Sequence, residues 1–210
     1  MIKLVKEIKL ETKTNKDSIN IAIQCLACYN MGKLTFYWKS FTKNTTLEEI
    51  ENSLDVETIH TKAKVPYLCN GDEYMISDYE NIKIDEYANA KDIYKLVELL
   101  QDVDDTDYIK AYLEIEHIQY LDRESNSWTE FKDNVQVFNW LSDAEDYAEE
   151  YIIEVENFHE IQDSFFADWI SWDSLKEHIL ETWFWCVEID LGYKDEKSYN
   201  QSRYFVWSRD

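Results

Sequence analysis

The chain has 210 residues, with 21 Lys and Arg against 44 Asp and Glu, a net charge of −23, and is 45% hydrophobic and 15% aromatic. Apolar and aromatic content of that order excludes wholesale disorder, and the sign of the charge excludes direct nucleic-acid binding, because the field would repel phosphates. No stretch approaches the roughly 18 apolar residues of a membrane span, and four Cys without a secretory leader in MIKLVKEIKLETKTNK point to reduced thiols in a cytoplasm.

Taken in order, residues 1–16 are Lys-rich and fit a short strand, a helix turn or a mobile arm equally well. Ile19–Leu26 is β-branched and reads as a buried strand. Tyr29-Asn30-Met31-Gly32 reads as a turn, and Leu34–Trp38 as the returning strand. Thr46, with Glu49 three residues on, caps a short helix carrying Leu47, Ile50 and Leu54. Glu73–Tyr79 is a third strand. From Asn89 the period turns helical, with Ile93, Leu96, Val97 and Leu100 on one face and Tyr108, Ile109, Tyr112 and Leu113 on another. Asp102–Asp107 lies between them as a turn whose acids suit the next helix's N-terminus. Gln119–Asp133 is polar and reads as a long loop. A helix over Ser142–Glu156, another over Ser171–Glu181, a strand at Trp183–Leu191, a polar connection at Tyr193–Gln201 and an antiparallel return at Arg203–Trp207 complete the chain. The fold class is α+β, partitioned as an extension (1–18), an N-terminal α/β sub-domain (19–84), a central helical sub-domain (85–141) and a C-terminal sub-domain of acidic helix and sheet (142–210).

The charge is concentrated. Residues 102–181 hold 23 carboxylates against Lys110, Arg123, Lys132 and Lys176. The peak is SDAEDYAEEYIIEVE, Ser142–Glu156. Ala144, Tyr147, Ala148, Tyr151, Ile152 and Val155 make one helix face, and Ser142 with Glu145 suits a capping box. Asp143, Glu145, Asp146, Glu149, Glu150, Glu154 and Glu156 are left for solvent. At about 1.5 Å rise per residue this is roughly one negative charge per 3 Å of helix axis. One strand of B-DNA carries a phosphate about every 3.4 Å. The helix therefore resembles a stiff phosphate row. Asp102, Asp104, Asp105 and Asp107 are the next candidates for the same role.

Other chemistry is thinner. Cys25-x-x-Cys28 reads first as buried free thiols and second as half of a four-thiolate zinc site completed by Cys69 and Cys186. His60, His117 and His178 read as surface or packing residues, so no metal and no cofactor is expected. Asp102-x-Asp104 opens like a calcium loop, but Asp107 replaces the required Gly and Leu113 the required Glu. Glu156-x-x-His159 matches half of a di-iron helix pair without a second copy. Abundant carboxylates and Trp leave a glycosidase as the enzyme alternative, although the acids follow helix faces rather than strand ends. An acidic adaptor for a basic protein is a third reading.

Ile21–Trp38, IAIQCLACYNMGKLTFYW, resembles the opening of the ArdA family of antirestriction proteins. Glu73–Glu80 (EYMISDYE) and Asp85-Glu86-Tyr87 before the Ile93–Leu100 helix resemble its next landmarks. Asp143–Glu156 is similar to its acidic antirestriction motif, and Asp168–Leu180 (DWISWDSLKEHIL) to its later aromatic-acidic helix. The resemblance spans residues 19–190. Residues 1–18, 117–140 and 193–210 depart from the family pattern. It implies an elongated homodimer of three small sub-domains that imitates bent B-form DNA and occupies the DNA groove of a type I restriction-modification enzyme, methyltransferase and specificity subunits together, without catalysis. A CRISPR or other DNA-binding defence complex presents similar cations and is the alternative target. The implied setting is a host cytoplasm, with the gene carried by a phage or mobile element. Two copies would carry twice the −23 of one, about the phosphate charge of 23 base pairs at two per pair.

Overall fold

The β-branched run at Ile19–Leu26 is strand β1, Ser18–Cys25, in the computed structural model of the chain. The structure describes residues 16–65, 69–155, 171–190 and 202–208, the side chains at 119, 152–155, 172 and 190 excepted. Strand β1 is the centre of an antiparallel sheet of order β2-β1-β3, with β2 at Phe36–Thr42 and β3 at Tyr74–Glu80. Every residue of β1 is buried, as befits a central strand paired on both edges. At Ser77 the register with β1 slips by one residue, and the Ser77 hydroxyl donates to the Ala22 carbonyl, so the bulge's polar group is used rather than stranded. The predicted turn is partly a short helix, α1, Leu26–Asn30. The turn closes after the helix at Gly32, whose φ of +71° is the left-handed conformation glycine adopts without strain.

The next helices follow from their caps. For α2, Leu47–Leu54, the Glu49 amide donates to Thr46 Oγ1 and the Thr46 amide to Glu49 Oε2, closing the predicted box. Asp55 ends α2 and caps α3, Val56–Lys62, by accepting from the Thr58 amide at 2.9 Å. Helix α3 escapes the sequence pattern because a single residue separates it from α2. Asn89 accepts from the Lys91 and Asp92 amides to start α4, Ala90–Leu99. Ile93, Leu96, Val97 and Leu100 are all buried, as their spacing predicts.

These elements form one compact unit, 1–106, and a second follows at 107–210. The break falls inside the segment 85–141, expected to be a central sub-domain: α4 belongs to the first unit, whereas α5, Thr106–Leu113, leads into the second. Gln119–Asp133 is not a long loop. It holds a 3-10 turn at Ile118–Tyr120 and helix α6, Asn126–Asn134, whose first turn is capped by Ser125 accepting from the Trp128 amide. Two aromatics replace an apolar stripe there. Trp128 and Phe131 are buried against Tyr112, with ring centroids 5.1 and 5.2 Å from it. The second unit's sheet has the order β4-β6-β5, all antiparallel, with β4 at Gln136–Phe138, β5 at Phe184–Asp190 and β6 at Ser202–Ser208. Helices α7, Leu141–Val155, and α8, Trp172–Trp183, pack together beside it. The mixture of helices and antiparallel sheets is the expected α+β class. No helix among the described residues is long and apolar enough to cross a membrane.

One close approach in the first unit yields a prediction. A Cβ built on Gly71 would lie 2.3 Å from the Ala27 Cβ on α1, so the chain after Cys69 reaches α1 only because no side chain intervenes. Gly71→Ala should destabilise the first unit by about 1–3 kcal/mol, the usual range for overpacking. In thermal melts of the full chain, that unit's transition should move down by several degrees.

Candidate functional site

Helix α7 is oriented by its apolar side. Ala144 and Ala148 are fully buried and join Ile179 and Leu180 of α8, Phe184 and Val206 in one core. Small residues at those positions let α8 approach closely, while Tyr147 and Tyr151 set their rings edge-on to Phe184 at 5.9 and 5.2 Å. The predicted face is thus buried at Ala144 and Ala148 and packed at Tyr147 and Tyr151. The side chains of Ile152 and Val155 lie outside the described residues. The helix begins one residue earlier than predicted: the Ala144 amide reaches the Trp140 carbonyl, which places Ser142 within the first turn instead of ahead of it.

The acids take the remaining arc of the helix, in unequal circumstances. Asp143 and Glu150 are exposed, with no cation set against them among the described residues. Glu145 is half-buried and close enough to Cys186 to help raise that thiol. Asp146 and Glu149 are joined through Lys176 of α8, whose Nζ lies 2.7 Å from Asp146 Oδ1 and 2.9 Å from Glu149 Oε2. Those two hydrogen bonds raise the Lys176 pKa. Lys176, not marked out by sequence pattern, therefore cancels one of the row's charges. The side chain of Glu154 and all of Glu156 lie outside the described residues, as does His159.

The second acidic group divides. Asp104 is exposed and pairs with Lys43 at 3.1 Å, and Asp105 approaches Lys16 at 3.9 Å, all in the first unit. Asp102 is half-buried in the same turn. Asp107 departs from the expected surface role. It is fully buried, held between Lys110 at 2.8 Å and Arg203 at 3.1 Å. A carboxylate so enclosed is a strut of the second unit's core and not a surface charge.

Two other constellations bear on chemistry. In the second unit a cleft of about 610 Å³ is lined by Tyr147, Tyr151, Trp185 and Trp207, with Glu130 and Asp133 of α6 at its edge. Aromatic walls and two acids are what a glycosidase would use. These acids, however, stand three residues apart on one helix, neighbours on one surface, whereas glycoside hydrolysis needs carboxyl groups flanking the bond from opposite sides. In the first unit, ligand atoms of Cys25, Cys28, His60 and Cys69 all lie within 4.8 Å of one another. Burial above all pushes the Cys25 thiol up to about 12. Cys69 also meets a burial effect that would raise it, yet the Gly71 amide and the Cys25 and Cys28 thiols hold it below the ordinary value. Cys186, the fourth thiol expected from sequence, is in the second unit, where burial and then Glu188 and Glu145 push it up to about 11. His60 stands in its place.

The architecture and its best-defined surface feature describe an acidic α+β protein whose carboxylates are displayed on a packed helix. The family model of the antirestriction protein (ArdA) matches residues 21–179, from β1 into α8, and the chain belongs to that family. No curated protein matches it.

Proposed function

We propose that this chain inhibits a type I restriction-modification enzyme by occupying the cationic groove in which its methyltransferase and specificity subunits hold DNA. The inhibition is stoichiometric and non-catalytic, and the inhibitor acts in the host cytoplasm as a homodimer. The observation that carries the reading is α7: its orientation is set by Ala144, Ala148, Tyr147 and Tyr151, leaving Asp143 and Glu150 exposed beside Glu145 and the clasped pair Asp146 and Glu149. A helix gives acids fixed spacing, so little conformational entropy is lost when they meet Lys and Arg placed for phosphates. Long-range attraction between a −23 chain and such a groove speeds encounter and weakens as salt shortens the Debye length.

The test is equilibrium binding of the full chain to a purified methyltransferase–specificity complex, with and without duplex carrying its recognition sequence, across a salt series. Mutual exclusion of chain and duplex, with affinity falling steeply as salt rises, is expected. A stable ternary complex with DNA would count against mimicry, and binding that no duplex displaces would favour a plain acidic adaptor.

A further inference from the structure

We propose that Cys25, Cys28, His60 and Cys69 are the four ligands of a structural zinc site that closes the first unit. The donors converge from four places in the fold: Cys25 ends β1, Cys28 lies in α1, His60 in α3, and Cys69 precedes β3. Cys25 Sγ is 3.2 Å from Cys69 Sγ, and His60 Nε2 is 3.5 Å from both Cys28 Sγ and Cys69 Sγ. A tetrahedral zinc with Zn–S near 2.3 Å and Zn–N near 2.0–2.1 Å sets its ligand atoms about 3.6–3.8 Å apart. The two His60 contacts lie just below that spacing, the Cys25–Cys69 contact is shorter still, and no donor pair exceeds 4.8 Å. The cage is too small for an iron–sulfur cluster and suits one ion.

The chemistry of the donors agrees. Three thiolates and an imidazole form a soft set that selects zinc among the common divalent ions, and four protein ligands leave no open position for catalysis. His60 is otherwise hard to account for. It is 2% exposed, its Nε2 meets only sulfur, and its Nδ1 has no hydrogen-bond partner. A buried imidazole so placed carries a desolvation cost that sulfur contacts alone do not return, whereas a metal on Nε2 does. Access exists as well: a cavity of about 650 Å³ reaches Cys69 and His60, with Glu51, Asp55, Glu57 and Asp72 in its walls, an anionic approach for a cation. The Ala27–Gly71 approach then gains a purpose, since it brings Cys69 to the Cys25-x-x-Cys28 end of the sheet.

The experiment is elemental analysis of the full chain, purified under reducing conditions without chelator, loaded with zinc and dialysed, followed by cobalt replacement. One zinc per chain is expected, with cobalt giving the charge-transfer and visible bands of a tetrahedral thiolate-rich site. His60→Ala should lower zinc retention at least tenfold, His60→Cys should restore it by returning a fourth ligand, and Cys186→Ser should leave it unchanged. Chelator should lower the melting transition of the first unit. The wild-type chain settles the matter even where a variant fails to fold: less than a tenth of an equivalent of zinc after loading, or a Cys25–Cys69 disulfide recovered from the reduced preparation, would overturn the proposal. So would full zinc content in a folded His60→Ala.

Discussion

Asp107→Ala should destabilise the second unit by about 3–5 kcal/mol, the cost expected when the buried carboxylate of an ion pair is removed. The carboxylate has no solvent exposure and takes Lys110 on one oxygen and Arg203 on the other. Arg203 is committed to that position in a second way, its guanidinium lying 5.2 Å from the ring centroid of Phe205 and 6.0 Å from that of Tyr108. Truncation therefore removes the buried carboxylate that Lys110 and Arg203 share. Asp107 also stands in the first turn of α5, where a negative charge complements the helix N-terminus. Urea unfolding followed through tryptophan emission is the measurement, since Trp128 and Trp207 are buried in this unit. Asp104→Ala is the contrast: its pair with Lys43 leaves the carboxylate 94% exposed, and removing an exposed pair costs at most about 1 kcal/mol. Equal effects from the two changes would refute the assignment of Asp107 as an internal strut.

That contrast marks where sequence ceases to be informative. Asp104 and Asp107 look alike in the string DVDDTD, and both suit a phosphate mimic there. What separates them is Arg203, 96 residues away, brought back by β6. The same limit hides the thiol cluster: Cys25-x-x-Cys28 is visible, but His60 comes 32 residues after Cys28 and Cys69 a further 9, so on spacing alone Cys186 is an equally good fourth ligand. Local signals carry further. Thr46 with Glu49 closes the box its spacing implies, and Ala144, Tyr147, Ala148 and Tyr151 pack as a 3.6 period requires. Helix α6 escapes because periodicity weighs the number of apolar residues, whereas Trp128 and Phe131 anchor it by size.

Removing charge from α7 should weaken partner binding in steps. Asp143→Asn with Glu150→Gln alters two exposed acids that hold no cation among the described residues, so the fold should be nearly unaffected. At about 1 kcal/mol for each ion pair forgone, below the roughly 1.5–7 kcal/mol of close charge pairs across an interface because these acids are solvent-exposed, affinity for the methyltransferase–specificity complex should fall roughly thirtyfold at low salt. Its dependence on salt should become shallower. Lys176→Gln should act in the opposite direction. It frees Asp146 and Glu149 from the only cation placed against them in the described residues and leaves α7 more negative by one charge. Stability should drop by about 1 kcal/mol, while association at low salt should quicken, because steering depends on summed charge and not on any one pairing. Stopped-flow association rates for the wild-type chain and both variants separate the models. Mimicry requires the two changes to move the rate oppositely. If one acid alone abolished inhibition, or if Lys176→Gln slowed association as much as the double neutralisation did, the carboxylates would belong to a shaped site and not to a phosphate-like row.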